Sequence, residues 1–426
     1  MIERNDKMAI IIGSGAGGAT VTKELAIANI PVTIIEKGPY VESSDSFKYY
    51  DANPEGMDLL KTTCVGGSTS VSMGNAVRSL EELKEIDIDI SQEYNELETE
   101  LNIHEMDDEH IGKGTQAFLD ASKELGLEAK KMPKFIIDDE CQICGKCAFG
   151  CPTDAKWTSK NYIDIAKDNG AKLLTNTEVT EVIYENNKVK GVKVKTINKK
   201  EENGKNEKNK EETEIEKIIY DDLVILSAGA INSAIILENS NIDAGNSLFM
   251  DGFVTMGGAL KDINFDREVQ MNALIKTDHF VLSPHFSTYI TQQINNPNIE
   301  NKDILSIMIK IPDEGIGSVK KGIVKKENTM QDIQYIAEGC SVAGAILEKA
   351  GVDPNTIIST IYRGAHPGGT APIGKVVDNN LKTKIDGFYV CDASVIPKAP
   401  GAPPILLIMA LAKRLSKHLI KDILSN

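Results

Sequence analysis

The chain has 426 residues, 41% apolar and 26% charged, with a formal net charge of -16. That length suggests two or three structural units, and the composition is that of a soluble globular protein. The acidic balance argues against nucleic acid or an anionic membrane surface as partner, because both are bound by Lys and Arg neutralising negative charge.

The opening MIERNDKMAIIIGSGAGG passes from charge to a short apolar run ending in glycines, without the cleavage pattern of a secretory signal. The apolar run ILLIMALA at 405–412 falls short of the roughly 20 residues that span a bilayer. A cytoplasmic protein with no membrane span is expected. MAIIIGSGAGGATVTKELAIANIPVTIIEKG reads as strand, glycine turn, helix, strand. Ile10 to Ile12 form a buried strand, Val21, Leu25 and Ala26 a helix face, and Val32 to Ile35 a second strand. Residues 113–127 carry helical apolar spacing. After 160 the pattern gives a helix, a strand and a hairpin in which Val192, Val194 and Thr196 alternate with lysines. From Asn198 to Glu214 no residue is apolar, which predicts a mobile hairpin tip. DDLVILSAGAINSAIIL then gives a buried strand, a small-residue turn and a helix, and GFYVCDASVIP a buried strand emptying into a loop. The stretch between them, 245–345, is polar and alternates like sheet. The predicted fold is therefore α/β: a Rossmann-like βαβ domain, discontinuous over 1–244 and 346–426, with a smaller β-rich α+β substrate domain at 245–345.

In GSGAGG the fingerprint glycines are Gly13, Gly15 and Gly18, for a tight turn, close approach to a diphosphate and close helix packing. Glu36 ends the second strand 21 residues after Gly15, where an acidic side chain can accept from ribose hydroxyls. This context predicts dinucleotide binding without choosing between FAD and NAD.

CQICGKCAFGCP holds four of the seven cysteines, Cys141, Cys144, Cys147 and Cys151, within the cysteine-rich segment 138–158. CxxCxxCxxxCP is the ligand run of ferredoxins, so the expected occupant is a 4Fe-4S cluster. With no second run in the chain, either Cys151 folds back onto the same cluster or the fourth ligand comes from elsewhere. Zinc on four thiolates, or no metal, are the alternatives.

Three further segments resemble the glucose-methanol-choline (GMC) oxidoreductases, FAD enzymes that oxidise alcohols: CVGGSTSVSMGNAVR at 64–78, SAGAINSAIILENS at 227–240, and GAHPGGTAPIG with VCDASVIPKAPGAPP across 364–404. The cysteine segment is most similar to that of the long-chain alcohol oxidase branch. The resemblance implies that Gly13, Gly15, Gly18 and Glu36 hold the FAD diphosphate and adenosine ribose. It places Gly66, Gly67 and Ser68 against the flavin, the Val179 backbone at adenine, and Asp392 with Ala393 near the ribityl and pyrophosphate. His366 matches the catalytic base. Pro403 stands where family members usually have Asn or His, so the usual acid/base pair is incomplete, and His285 is a candidate substitute; separately, Ser72 stands where many members have Asn. The implied reaction takes a small-molecule alcohol to a carbonyl compound by hydride transfer to flavin. A cluster would let the electrons leave singly to a redox protein such as a ferredoxin. The competing reading is a flavin and iron-sulfur electron-transfer subunit without alcohol chemistry.

Overall fold

The computed structural model describes residues 8–51, 60–198 and 213–425. Most of the polar stretch read as a hairpin tip, residues 199–212, lies outside the described residues; the flanking strands Lys188–Asn198 and Thr213–Tyr220 pair antiparallel.

Five parallel strands form one sheet in the order Phe388–Val390, Val224–Leu226, Ala9–Ile12, Val32–Ile35, Lys172–Leu174. The first four are short, mostly apolar runs with every residue buried, as expected of parallel strands covered on both faces. The helix Ala16–Ile27 packs against both Ser159–Asp168 and Ile405–Leu424. Val21 and Leu25 are buried within that core, at about 1.5–3 kcal/mol for each such side chain. Strands added after Ala9–Ile12 run outward to Lys172–Leu174 on one side, and the later pair lies on the other. The strand order reverses beside Ala9–Ile12, and ligands of such sheets sit beyond the strand C-termini at that switch point. Gly13 and Ser227 leave the two central strands there: with φ +93°, Gly13 comes so near that a Cβ would lie 2.4 Å from the Ser227 carbonyl oxygen.

The second sheet is antiparallel and seven-stranded: Ile358–Ser359, Gly252–Ala259, Ile304–Lys310, Val281–Pro284, Ala273–Lys276 and Lys130–Lys131 in order, with Arg363–Gly364 also pairing to Gly252–Ala259. The sheet takes strands from 130–131, 358–359 and 363–364 as well as from 245–345, and the β-rich reading of the latter stretch missed the helix Met330–Lys349. Its N-terminus is a capping box, with Thr329 Oγ1 accepting from Asp332 N–H and Asp332 accepting from Thr329 N–H. Ala343, Ile346 and Leu347 bury against the sheet. Along Ile304–Lys310 the two-residue period divides the faces: Ile307 and Ile309 join that core, while Met308 and Lys310 line the space between the sheets.

Candidate functional site

A cavity of about 810 Å³ runs between the two sheets. Gly13, Gly15, Glu36, Gly67, Ser68, Val179, Asp392, Ala393 and His366 all line it, although they come from widely separated parts of the chain. Gly18 and Gly66 do not line it and act from behind. A Cβ on Gly18 would lie 2.0 Å from the Gly13 carbonyl oxygen, so glycine lets the helix close on the turn. Gly66, at φ +95°, turns its N–H toward Ser14 Oγ at 3.1 Å.

Gly15 is extended, caps the helix Ala16–Ile27 without a side-chain bond, and would direct a Cβ into open space. An uncapped helix N-terminus facing a cavity suits a diphosphate. Glu36 Oε2 accepts from the Ser14 N–H (3.0 Å) and hydroxyl (2.6 Å), and Oε1 from the Gly38 N–H (2.8 Å). Burial nevertheless pushes its carboxyl up from the ordinary value. Val179 sits where a register shift opens the pairing of Thr177–Glu185 with Lys188–Asn198. Asp392 accepts from the Gly229 N–H and the Ser233 hydroxyl, tying the last strand of the sheet to the turn after Val224–Leu226. These residues fit the diphosphate and ribose of a dinucleotide.

At the other end the His366 N–H donates to the Met250 carbonyl (2.9 Å), which holds its loop beside Asp251. His366 Nδ1 lies 3.1 Å from Asp251 Oδ2 and 2.9 Å from Lys310 Nζ. Asp251 adopts φ +47°, is fully buried, and accepts from the Gly401 N–H through Oδ1. Burial and then the Lys310 charge hold His366 well below the ordinary histidine range. Burial pushes Asp251 up to about 7 and Lys310 down to about 8. His285 also lines the cavity, is pushed down to about 3 by burial, Arg363 and Lys310, and lies 3.3 Å from Thr255 Oγ1. Pro403 and Ser72 line it too. Sequence reasoning missed Asp251, Lys310 and Arg363. The one available signal was a lone lysine closing the apolar strand ILSIMIK.

The four clustered cysteines are free thiols around a second cavity of only about 20 Å³. Among the described residues no group of three or more His, Cys, Asp or Glu side chains is placed to hold a metal ion. The expected iron-sulfur ligand set is thus not assembled: Cys141 and Cys151 pack instead against the small apolar cluster of Met106, Ile136, Ala155 and Val269. Gly145 lines both cavities, so the thiol loop forms part of the wall of the larger one. No helix among the described residues is long and apolar enough to cross a membrane.

A family model for the N-terminal part of GMC oxidoreductases matches residues 8–262, and one for the C-terminal part matches 323–412. The uncharacterized protein MJ1450 of Methanocaldococcus jannaschii is 36% identical and aligns over 96% of this chain and 99% of its own. Long-chain-alcohol oxidase FAO4B of Arabidopsis thaliana is 23% identical over 98% of this chain and 68% of its own. Among solved structures, pyridoxine 4-oxidase from Mesorbium loti superposes with a TM-score of 0.74 at 16% identity, covering 97% of this chain and 99% of that one. Formate oxidase superposes at 0.70 and 15% identity, covering 98% and 99%. The strand order, the glycine turn at its switch point and two family models that together reach from residue 8 to residue 412 lead to one assignment: the chain belongs to the GMC oxidoreductases, a family of FAD-dependent flavoenzymes.

Proposed function

We propose that the chain oxidises the CH–OH group of an alcohol to a carbonyl compound, with His366 as the base. The observation that carries this reading is the His366 imidazole lining the same cavity as the glycine turn; burial and then Lys310 push it well below the ordinary histidine range. Bound FAD supplies the hydride acceptor. The protein must take the hydroxyl proton, and a neutral imidazole can do so.

Two neighbours pull His366 Nδ1 in opposite directions. The Lys310 ammonium donates to an unprotonated Nδ1, which leaves the ring proton on Nε2. An ionised Asp251 accepts from a protonated Nδ1, which leaves the Nε2 lone pair for the alcohol. Only the second tautomer is a base at Nε2. Asp251 is pushed up to about 7, so its carboxylate is present above that pH and is lost below it. Flavin reduction is expected to rise with pH through about 7. In Asp251→Asn that rise should vanish and the rate fall roughly tenfold, as for a group acting through another; an unaltered pH profile rejects the role.

The decisive measurement of the reaction class is anaerobic bleaching of the flavin by a panel of alcohols. If no alcohol bleaches it while a reduced redox protein does, the electron-transfer reading replaces this one.

The reading extends to the thiol loop, which we propose takes up an iron-sulfur cluster as a one-electron outlet to a protein acceptor such as a ferredoxin. Two lysines support it. Lys134 Nζ donates to Met73 O, Asn75 Oδ1 and Gln270 O, and Lys156 Nζ to Ser70 O, Ser72 O and Cys147 O, all neutral oxygens. Both residues are almost wholly buried, and burial pushes Lys134 down to about 7 and Lys156 down to about 8, so an anion nearby would be needed to keep them charged. A four-thiolate site holding a 2+ core carries a net charge of about -2. The loop would have to open around the cluster, given the present size of its cavity. Anaerobic purification is expected to give iron and acid-labile sulfide in equal amounts. Zinc near one per chain, or no metal, overturns the cluster and leaves the alcohol chemistry standing.

A further inference from the structure

We propose that Asp313, paired with Lys326, is a positioning residue for the reaction: it grips the backbone on both sides of Asp251 and so keeps that carboxylate on His366 Nδ1. This rests on the alcohol-oxidising reading and adds to it the residues that prepare the base.

Asp251 reaches its partners with its side chain, so its aim depends on the backbone that carries it. Oδ1 accepts from the Gly401 N–H at 3.0 Å, and Oδ2 lies 3.1 Å from His366 Nδ1. The residue sits at φ +47°, a conformation that persists where the surroundings fix it. Asp313 does the fixing. Its Oδ1 accepts from the Met250 N–H at 3.0 Å and the Gly252 N–H at 3.4 Å, and its Oδ2 lies 3.2 Å from the same Met250 nitrogen. Two N–H groups flanking one left-handed residue suit an anion, and here a carboxylate takes the place. The carbonyl side of the segment is held as well: Met250 O accepts from the Ala365 N–H (3.1 Å) and the His366 N–H (2.9 Å), and Gly252 O from the Ile311 N–H (2.9 Å). Met250 therefore joins Asp313 to the backbone of His366 through a single residue.

The Lys326 ammonium lies 3.0 Å from Asp313 Oδ2, and both side chains are fully buried. Burial pushes the Asp313 carboxyl up, Lys326 draws it down, and Asp251 pushes it up again, so the two carboxylates are close enough to feel each other. Asp332 Oδ2 lies 3.7 Å from the same ammonium, and its Oδ1 accepts from the Glu314 N–H at 3.0 Å, which ties the Asp313 loop to the start of the helix Met330–Lys349. Gly317 leaves room for the lysine stem, because a Cβ there would lie 2.9 Å from Lys326 Cδ. The titratable groups facing Asp251 are thus Lys310, His366, Tyr362 and Asp313, with Lys326 and Asp332 beyond Asp313. Asp313, Lys326 and Asp332 do not line the cavity, so their route to the chemistry is Asp251.

Removing one member of a buried ion pair leaves the other uncompensated, so the test removes both charges together. Lys326→Met is combined either with Asp313→Asn, whose carbonyl oxygen can still accept from Met250 and Gly252, or with Asp313→Ala, which offers no acceptor. In the FAD-loaded full chain the asparagine double variant is expected to keep a rate of flavin reduction close to wild type and a rise with pH. The alanine double variant should be slower roughly tenfold and lose the rise, as Asp251→Asn does. In an Asp251→Asn background the two double variants are expected to match, because the grip then has no carboxylate to aim. A lower melting temperature with an unaltered pH profile in the alanine double variant marks a merely structural role and overturns the proposal. An asparagine double variant that loses the rise overturns it too. Should the alanine double variant not fold, Asp313→Glu, which keeps the charge and displaces the oxygens, is expected to lose the rise, and a wild-type profile there rejects the grip. If no alcohol reduces the flavin, the alcohol chemistry falls and the ring-nitrogen NMR shifts of His366, assigned against His366→Ala, decide the positioning alone. Above about pH 7 the ring proton is expected on Nδ1 in wild type and in the asparagine double variant, and on Nε2 in the alanine one. The same tautomer in all three rejects the proposal.

Discussion

Replacing His366 with alanine is expected to leave FAD bound and to slow its reduction by alcohol about 10²-fold or more, the usual scale for a general base. Folding should survive, because the loop is held by its backbone: His366 N–H donates to Met250 O, Gly368 N–H to Phe249 O and Gly369 N–H to Ala393 O. The imidazole keeps 22% exposure, so its removal opens little of the core. Anaerobic stopped-flow absorbance separates the two quantities, flavin content from the starting spectrum and rate from its decay. His285→Ala is the matched control. That ring is directed to Thr255 Oγ1, and Phe253 lies edge-on 6.4 Å from it, so a positioning effect smaller than that of His366→Ala is expected. If the His285 variant is the slow one and His366→Ala keeps its rate, the base has been assigned to the wrong ring.

What the sequence made legible here is local. The glycine turn, the buried strand before it and Glu36 lie within 28 residues of one another, from Ala9 to Glu36, and the local structure they form follows from spacing and backbone stereochemistry. The sheet order was not legible, because a run such as VIL shows that a strand is buried but not that it lies beside Ala9–Ile12. Asp251 was invisible for the same reason. It meets His366 and Gly401 across 115 and 150 residues, through a left-handed turn that Asp tolerates without announcing it. Lys310 was hidden inside an apolar strand, where only the register of the sheet decides which face a side chain takes. The cysteine run shows the opposite limit. Its spacing was fully readable, yet spacing alone does not bring four sulfurs to one centre, and here they surround a small cavity. The helix Met330–Lys349 carried a readable start at Thr329 and Asp332, obscured by the polar residues and strands that precede it.

Two alanine substitutions in the glycine turn are expected to part company. Gly18→Ala would place a Cβ 2.0 Å from the Gly13 carbonyl oxygen and 3.1 Å from Ser227 Cβ. Backbone cannot yield as a side chain can, so the turn must shift, and the protein without FAD should lose about 1–3 kcal/mol, the usual cost of overpacking. Gly15→Ala meets no atom within 4 Å, and φ -70°, ψ -170° is open to alanine. Its helix loses a favourable glycine cap, but the unfolded chain also loses freedom, and these effects oppose each other at about 0.5–1 kcal/mol apiece. Thermal stability without FAD should therefore barely move. The new methyl, however, occupies space that a diphosphate must approach, and the same 1–3 kcal/mol of overpacking then falls on binding, weakening FAD about tenfold to 10²-fold. Flavin titration by fluorescence quenching, paired with melting of the FAD-free protein, reads both effects. Wild-type FAD affinity in Gly15→Ala would mean that the diphosphate does not cross that residue, and the placement of the cofactor along this cavity would have to be redrawn.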